Sequence, residues 1–231
     1  MNKFLLAANP KTAPVVYRTL SADDFEAYKD IRIEALTGID RHFFTANPTE
    51  EIARTDSEWR VVCGGTINKT VVGAFCENEL VGIMSATRSK DDPTGNTIYY
   101  SAEYVRPAFR ENGLAGEMIL LRDIWASNHG CNRATYTIRT NNPWLIKQLW
   151  NGAKIIKELN LRFADGLVAP IYLLERVIGN KLELQHEERQ LTHITIKAAR
   201  PSSPLLPPPP RVAGDAGSGE SGAQTRDVIG A

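Results

Sequence analysis

The chain has 231 residues, 42% of them hydrophobic, which is enough for one packed domain with extensions or for two small domains. Lys and Arg together number 27, as do Asp and Glu, so the formal net charge is +0. This balance argues against a nucleic acid or an anionic membrane as a bulk partner. No apolar run approaches the roughly 20 residues that a membrane-spanning helix needs.

The cysteines, Cys63, Cys76 and Cys131, are too few and too scattered to predict a disulfide framework or a metal site. Their simplest interpretation is that of small buried hydrophobic residues in a reducing compartment. The chain begins Met-Asn-Lys-Phe-Leu-Leu-Ala-Ala, an apolar stretch that is too short for a signal peptide. We therefore expect a cytoplasmic protein.

The first elements of the chain are short strands and amphipathic helices. Residues 15–20 predict a strand, and an apolar stripe along residues 25–35 predicts the helix after it. A second helical segment extends over residues 48–59, where a proline suits the first helical position. Residues 71–76 and 80–86 predict two strands joined in a hairpin by a polar turn.

The most informative pattern follows a polar loop at residues 89–96. Residues 97–105 are rich in β-branched and aromatic side chains and predict a strand, which Pro107 ends because it lacks a backbone donor. A helix follows, with apolar residues at helical spacing: Leu114, Met118, Leu121 and Trp125. Between strand and helix lies Arg-Glu-Asn-Gly-Leu-Ala at residues 110–115, an R-x-x-G-x-A pattern.

This turn has the properties of an anion site. The first N–H groups of a helix have no partner within the helix, and the helix dipole adds partial positive charge there. Gly113, Ala115 and Gly116 keep side chains out of the way, so phosphate oxygens can approach the backbone. The turn lacks the Lys-Ser or Lys-Thr of a nucleoside triphosphate loop and the G-x-G-x-x-G of dinucleotide folds.

The rest of the chain completes one domain and then changes in composition. Further elements are predicted as a strand at 134–139, a helix at 144–150, a strand after Gly152, a turn at Asp165-Gly166 and a strand at 171–176. Residues 179–200 are mixed and polar, with a helix predicted around 182–191. Residues 201–231 are rich in Pro, Gly and Ser, which predicts a disordered tail with polyproline II character near 207–210.

Residues 105–115 resemble the acetyl-CoA loop of the GNAT family of N-acetyltransferases, including the V-x-P-x-[YF] run and the [RQ]-x-x-G-x-[GA] pattern. A weaker resemblance covers residues 142–155, with the spacing off by about one residue. The order of elements matches that fold over residues 14–178, with residues 1–13 as an N-terminal extension. The resemblance implies an α/β (α+β) fold, a mixed central β-sheet flanked by helices.

The resemblance also implies a function and a set of binding residues. Acetyl-CoA is the acetyl donor, and the acetyl group passes directly to an amine of a small molecule, peptide or protein. The residues implied in acetyl-CoA binding are Glu103, Tyr104, Val105, Arg110, Glu111, Asn112, Gly113, Leu114, Ala115, Gly116 and Asn142. For the Arg110 side chain, a structural role is an equal alternative.

Catalysis by this route needs a base, because an amine with a pKa of about 10 is free at neutral pH in only about one molecule in a thousand. Glu103 is the candidate base, Tyr100 and Glu34 are weaker alternatives, and a solvent-facing or ion-paired role for Glu103 stays open. The family often has a Tyr to protonate the departing thiolate, where this chain has Leu149-Trp150. Water, or the hydroxyl of a Tyr at 136 or 172, stays open as the proton source.

Other functions remain open at this stage. They are a CoA-binding regulatory module without catalysis and an acyltransferase that uses a longer acyl donor. The acceptor pocket is expected between the first two helices and the 89–96 loop, where His42, Phe43 and Phe44 suggest aromatic walls. No metal is expected, and a homodimer is an alternative to a monomer. The sequence does not identify the acceptor amine.

Overall fold

The computed structural model describes residues 14–163 and 167–179. Within them, strands and helices follow one another as β1 (Val15–Thr19), α1 (Phe25–Thr37), α2 (Pro48–Ile52), α3 (Asp56–Cys63), β2 (Lys69–Cys76), β3 (Glu79–Arg88), β4 (Thr97–Val105), α4 (Leu114–Asn128), β5 (Arg133–Arg139), α5 (Trp144–Trp150), β6 (Lys154–Arg162) and β7 (Val168–Val177). The predicted N-terminal extension, the turn at 165–166, the helix at 182–191 and the tail lie outside the described residues.

The strands form one seven-stranded sheet in the order β1-β2-β3-β4-β5-β7-β6. Neighbouring strands are antiparallel except β4 and β5, which are parallel and joined through α4. A parallel pair needs such a crossover because the second strand must begin at the same end of the sheet as the first. The mixed sheet flanked by helices confirms the predicted fold class.

β4 and β5 separate soon after they begin. Their pairing covers only Thr97–Tyr99 against Arg133–Thr135. β5 continues to Arg139 paired with β7, whereas β4 continues to Val105 paired with β3. A register shift in the β3–β4 pairing, with Ala102 at a φ of 55°, bends β4 away at this level. A cleft therefore opens between the two parallel strands in the middle of the sheet.

Local hydrogen bonds set the helix boundaries on one face of the sheet. The predicted single helical segment over 48–59 is wrong, because Thr55 begins a new helix, α3. The Thr55 hydroxyl accepts from the N–H of Glu58, and the Glu58 carboxylate accepts from the N–H of Thr55 at 2.7 Å. This reciprocal cap stabilises a helix start by about 1 kcal/mol. The Asn47 side chain caps α2 by accepting from the N–H of Thr49.

Each face of the sheet carries its own core. On one face, α1 and α3 pack over β2 and β3, with the Tyr28 and Trp59 rings meeting edge-on at 5.8 Å. On the other face, α4 packs over the same strands, with Met118 at the centre. A Cβ on Gly82 would lie 2.8 Å from the end of the Met118 side chain, so this glycine lets α4 approach β3 closely. The approach places the start of α4 beside the end of β4.

The cysteines are buried, as the sequence predicts, whereas two tryptophans are exposed. All three cysteines are buried and free. Large aromatic side chains are usually buried, but Trp150 is 84% exposed and Trp144 is 41% exposed. Their helix, α5, is short and leaves both indole rings exposed to solvent. None of the helices in the described part of the chain is long and apolar enough to cross a membrane.

Candidate functional site

The turn before α4 is shaped by glycines that have no packing role in the protein. Gly113 precedes the helix with a φ of 81°, a left-handed conformation that favours glycine. Gly116 lies in the first turn, where Gly costs up to about 1 kcal/mol relative to Ala. A Cβ at either position would meet nothing within 4 Å. The space outside both glycines is therefore open to a ligand.

Backbone donors face this open space. The N–H groups of Glu111, Asn112 and Gly113 have no backbone acceptor among the described residues. The N–H groups of Leu114 and Ala115 have no partner within the helix, because the first helical hydrogen bonds run from Gly116 and Glu117 to the carbonyl of Gly113. Unpaired donors at a helix start, aided by the helix dipole, fit a phosphate or pyrophosphate.

Charged side chains around the turn add little positive charge to it. Glu117 lies in the first turn of α4, and burial raises the pKa of its carboxyl group. Arg110 donates from Nε to the carbonyl of Val105 at 2.8 Å and forms an ion pair with Asp40. What the turn offers to an anion is therefore chiefly its backbone donors.

The end of β4 presents alternate side chains to the two faces of the sheet. The Glu103 carboxylate points towards α4 and forms an ion pair with Arg122 at 2.7 Å. Tyr104 points the other way, and its hydroxyl donates to Glu34 at 2.9 Å. Val105 packs on the α4 side. On the side facing β5, this part of β4 has no partner strand, so its backbone is available to a ligand in the cleft.

A buried charged network lies under the cleft, and sequence reasoning missed it. Arg122 and Asp123 are 2% and 4% exposed, although they are adjacent charged residues. The Tyr100 hydroxyl donates to Asp123, which also accepts from Arg176 at 2.7 Å. The available signal was a charge at position 122, inside the apolar stripe of α4. Burial, followed by the nearby Asp123, raises the pKa of Tyr100 well above its usual value, which disfavours Tyr100 as a base.

Tyr136 and Tyr172 are the tyrosines that the sequence left open as proton sources. The Tyr136 hydroxyl donates to the side-chain carbonyl of Gln148 on α5 at 2.8 Å, and burial raises its pKa to about 12. Tyr172, on β7, is partly buried and packs against the core of the α4 face. The Asn142 side chain caps α5 by accepting from the N–H of Trp144 at 2.9 Å. Leu149 and Trp150 on α5 offer no ionisable group.

On the face of the sheet opposite to α4, part of the expected acceptor pocket comes together. The ring of Phe44 meets the ring of Tyr104 edge-on at 6.4 Å. Glu34 joins them by accepting from Tyr104 and from Nε of Arg106 at 2.8 Å. His42 instead contacts the ring of Phe43 at a tilted angle, in the segment after α1.

The sequence profile of the acetyltransferase (GNAT) family matches residues 33–147. The fold resembles the acetyltransferase of the GNAT family from Streptococcus pneumoniae, with a TM-score of 0.62, 17% identity, and coverage of 72% of this chain and 100% of that one. It also resembles yncA from Salmonella typhimurium with its cofactor acetyl-CoA (TM-score 0.56, 15% identity, 73% and 96% covered). For RimL, a ribosomal L7/L12 alpha-N-protein acetyltransferase in complex with coenzyme A, the TM-score is 0.57 and the identity is 15%, with 74% of this chain and 98% of that one covered. No curated protein sequence matches the chain.

Proposed function

Since this chain belongs to the acetyltransferase (GNAT) family, we propose that it transfers the acetyl group of acetyl-CoA directly to an amine. One observation carries the proposal: the cleft between β4 and β5 leads to the open turn before α4. Acetyl-CoA matches this pair of features, because its narrow pantetheine arm suits the cleft and its pyrophosphate suits the turn. The buried free cysteines agree with a reducing compartment, so we propose a cytoplasmic location.

Acetyl-CoA would be held mainly by backbone groups. We assign its pyrophosphate to the N–H groups of residues 111–115 and to the open space beside Gly113 and Gly116, where the helix begins. We assign its pantetheine arm to the unpaired edge of β4 at residues 103–105. Asn142 is a further proposed contact, although its side-chain oxygen caps α5.

The reaction requires one bond to form and one to break. The amine nitrogen attacks the thioester carbon, the carbon–sulfur bond breaks, the ammonium group loses a proton and the CoA thiolate gains one. Negative charge develops on the thioester oxygen in between, and a fixed backbone N–H on the edge of β4 stabilises it. Holding both reactants in one cleft also lowers the entropic cost of their encounter.

Glu103 is the proposed general base, because its side chain is 37% exposed on the part of β4 that no longer pairs with β5. Glu34 is the alternative base on the acceptor face, but both of its oxygens are already engaged by Tyr104 and Arg106. We propose Tyr172, Tyr136 or water as the source of the proton for the thiolate. Among them, Tyr136 has its hydroxyl proton directed at Gln148.

A second function is a CoA-binding regulatory module without catalysis. It is favoured by the ion pair that occupies Glu103 and by the absence of a tyrosine from α5. Binding of acetyl-CoA is common to both functions, whereas turnover with a panel of amines separates them. An acyltransferase for longer acyl donors is tested by the same panel with longer acyl-CoA thioesters.

The first experiment is isothermal titration of acetyl-CoA and CoA into the wild type and a Gly113→Glu variant, which places a negative charge in the proposed phosphate site. Gly130→Glu is the matched control, because Gly130 has a φ of 79° and equal free space at the other end of α4. We expect the wild type and the Gly130→Glu control to bind acetyl-CoA and CoA, and the Gly113→Glu variant to lose this binding. An absence of binding to the wild type contradicts the proposed function.

A further inference from the structure

Arg122 is a buried guanidinium that the proposed function does not yet use. We propose that Arg122 is a positioning residue that holds the Glu103 carboxylate at the mouth of the cleft between β4 and β5. The inference rests on the proposed function, in which Glu103 is the base. It adds a requirement for a residue on α4 that touches neither the donor nor the acceptor.

The surroundings of Arg122 fix its guanidinium in one place. Its Nη2 atom lies 2.7 Å from the Glu103 carboxylate, and its carbon Cζ lies 3.5 Å above the ring of Tyr100. Its Nη1 atom reaches the carbonyl of Ser85 at 3.5 Å, and its Nε has no partner among the described residues. A charge that is 2% exposed needs a compensating charge nearby, and Glu103 is the carboxylate that supplies it.

The platform beneath Arg122 is itself held by ionic contacts. The Tyr100 ring, on which the guanidinium stacks, is anchored at its other end by the hydrogen bond from its hydroxyl to Asp123. Asp123 is held in turn by Arg176 from β7, with both carboxylate oxygens at 2.7 Å. Three elements, β4, α4 and β7, therefore meet around one aromatic ring. This arrangement is more rigid than a surface ion pair, in which two long side chains remain free to move.

Glu103 depends on Arg122 for its orientation. It directly follows Ala102, whose φ of 55° marks the irregularity in β4, and it is 37% exposed. Among the described residues, Arg122 is its hydrogen-bonding or ionic partner. Without Arg122, the carboxylate is free to turn towards solvent and leave the cleft. Misplacement of a reacting group by about 1 Å can lower a rate by about 100-fold.

A double-mutant cycle in kcat separates positioning from a structural role. The variants are Arg122→Met, which keeps most of the side-chain volume, Glu103→Gln and the double variant, assayed for acetyl transfer at a temperature where all are folded. We expect Arg122→Met to lower kcat by about 10- to 100-fold with little change in the KM for acetyl-CoA. In the Glu103→Gln background, the same change should lower kcat by less than about 2-fold.

The control is Arg176→Met, which removes the neighbouring buried ion pair with Asp123 and leaves Glu103 and Arg122 themselves unsubstituted. Its loss of thermal stability calibrates the effect of breaking a buried pair in this part of the fold. An equal loss of kcat from Arg122→Met in both backgrounds overturns the inference and leaves the proposed function intact. If the wild type binds acetyl-CoA but acetylates no amine in the panel, the proposed function and the inference both fail.

Discussion

Arg110, in the turn before α4, forms an ion pair with Asp40, which follows α1 and lies 70 residues earlier in the chain. The same guanidinium donates to the carbonyl of Val105 at the end of β4. One side chain therefore connects the proposed phosphate site, the proposed pantetheine edge and the segment that leads to Phe44. In this structure, Arg110 acts as a structural link whose charge is paired with Asp40.

This link predicts that Asp40→Asn strengthens CoA binding. The substitution removes a negative charge near the proposed pyrophosphate and frees the Arg110 guanidinium for it, so we expect a 2- to 5-fold lower Kd, equivalent to about 0.5–1 kcal/mol. Titration of CoA at low and high salt measures the effect, which should decrease as salt rises. Asp30→Asn is the control, because Asp30 is an exposed carboxylate on α1. Weaker binding by Asp40→Asn would contradict the prediction.

Gly116→Ala should separate stability from binding. A methyl group at this position meets no protein atom, so the substitution should stabilise α4, by up to about 1 kcal/mol. The same methyl group should occupy space that the phosphates need and weaken CoA binding. Thermal unfolding and titration of the same sample test both effects. A variant that is more stable and binds CoA as tightly as the wild type would show that the phosphates lie elsewhere.

The choice of base predicts an unequal effect of two isosteric substitutions. Glu103→Gln should lower kcat by about 100-fold, because it removes the proposed proton acceptor. Glu34→Gln should lower kcat by less than about 10-fold, since Glu34 only supports Tyr104 and Arg106 in that assignment. The rates are compared at saturating acetyl-CoA. The reverse order would transfer the role of base to Glu34.

The Arg18–Asp24 pair predicts a pH-dependent contribution to stability. The hydrogen bond from Arg18 lowers the pKa of the Asp24 carboxyl group to about 2, and Asp24 also accepts from the N–H of Ser21. Because the folded pKa is below the unfolded value of about 3.9, this contribution is present above about pH 4 and is lost as the pH falls through about 2. Asp24→Asn should therefore destabilise the protein at pH 7 and have less effect in acid. Urea unfolding at about pH 7 and pH 3 tests this, and an equal difference at both pH values argues against it.

Much of the fold follows from local patterns in the sequence. The strand, turn and helix over residues 97–128 were predictable because period-two and helical spacing are properties of consecutive residues, and the glycine at 113 marks a left-handed conformation that glycine adopts most easily. The division of the predicted second helix was harder to predict, since a Thr three residues before a Glu is a common sequence whose cap is visible only in the folded backbone. The roles of the phosphate-loop residues remain predictions.

By itself, the sequence determined the order of the elements apart from the division of the second helix, the open turn before α4, the burial of the cysteines and the family resemblance. Only the tertiary structure decided which side chains meet: Glu103 with Arg122, Tyr104 with Glu34, and Arg110 with Asp40. The physical reason is that each of these pairs joins separate elements, so it depends on strand register, on the irregularity at Ala102 and on the close approach of α4 at Gly82. A shift of β4 by one residue would exchange the faces of Glu103 and Tyr104 while leaving the sequence pattern unchanged.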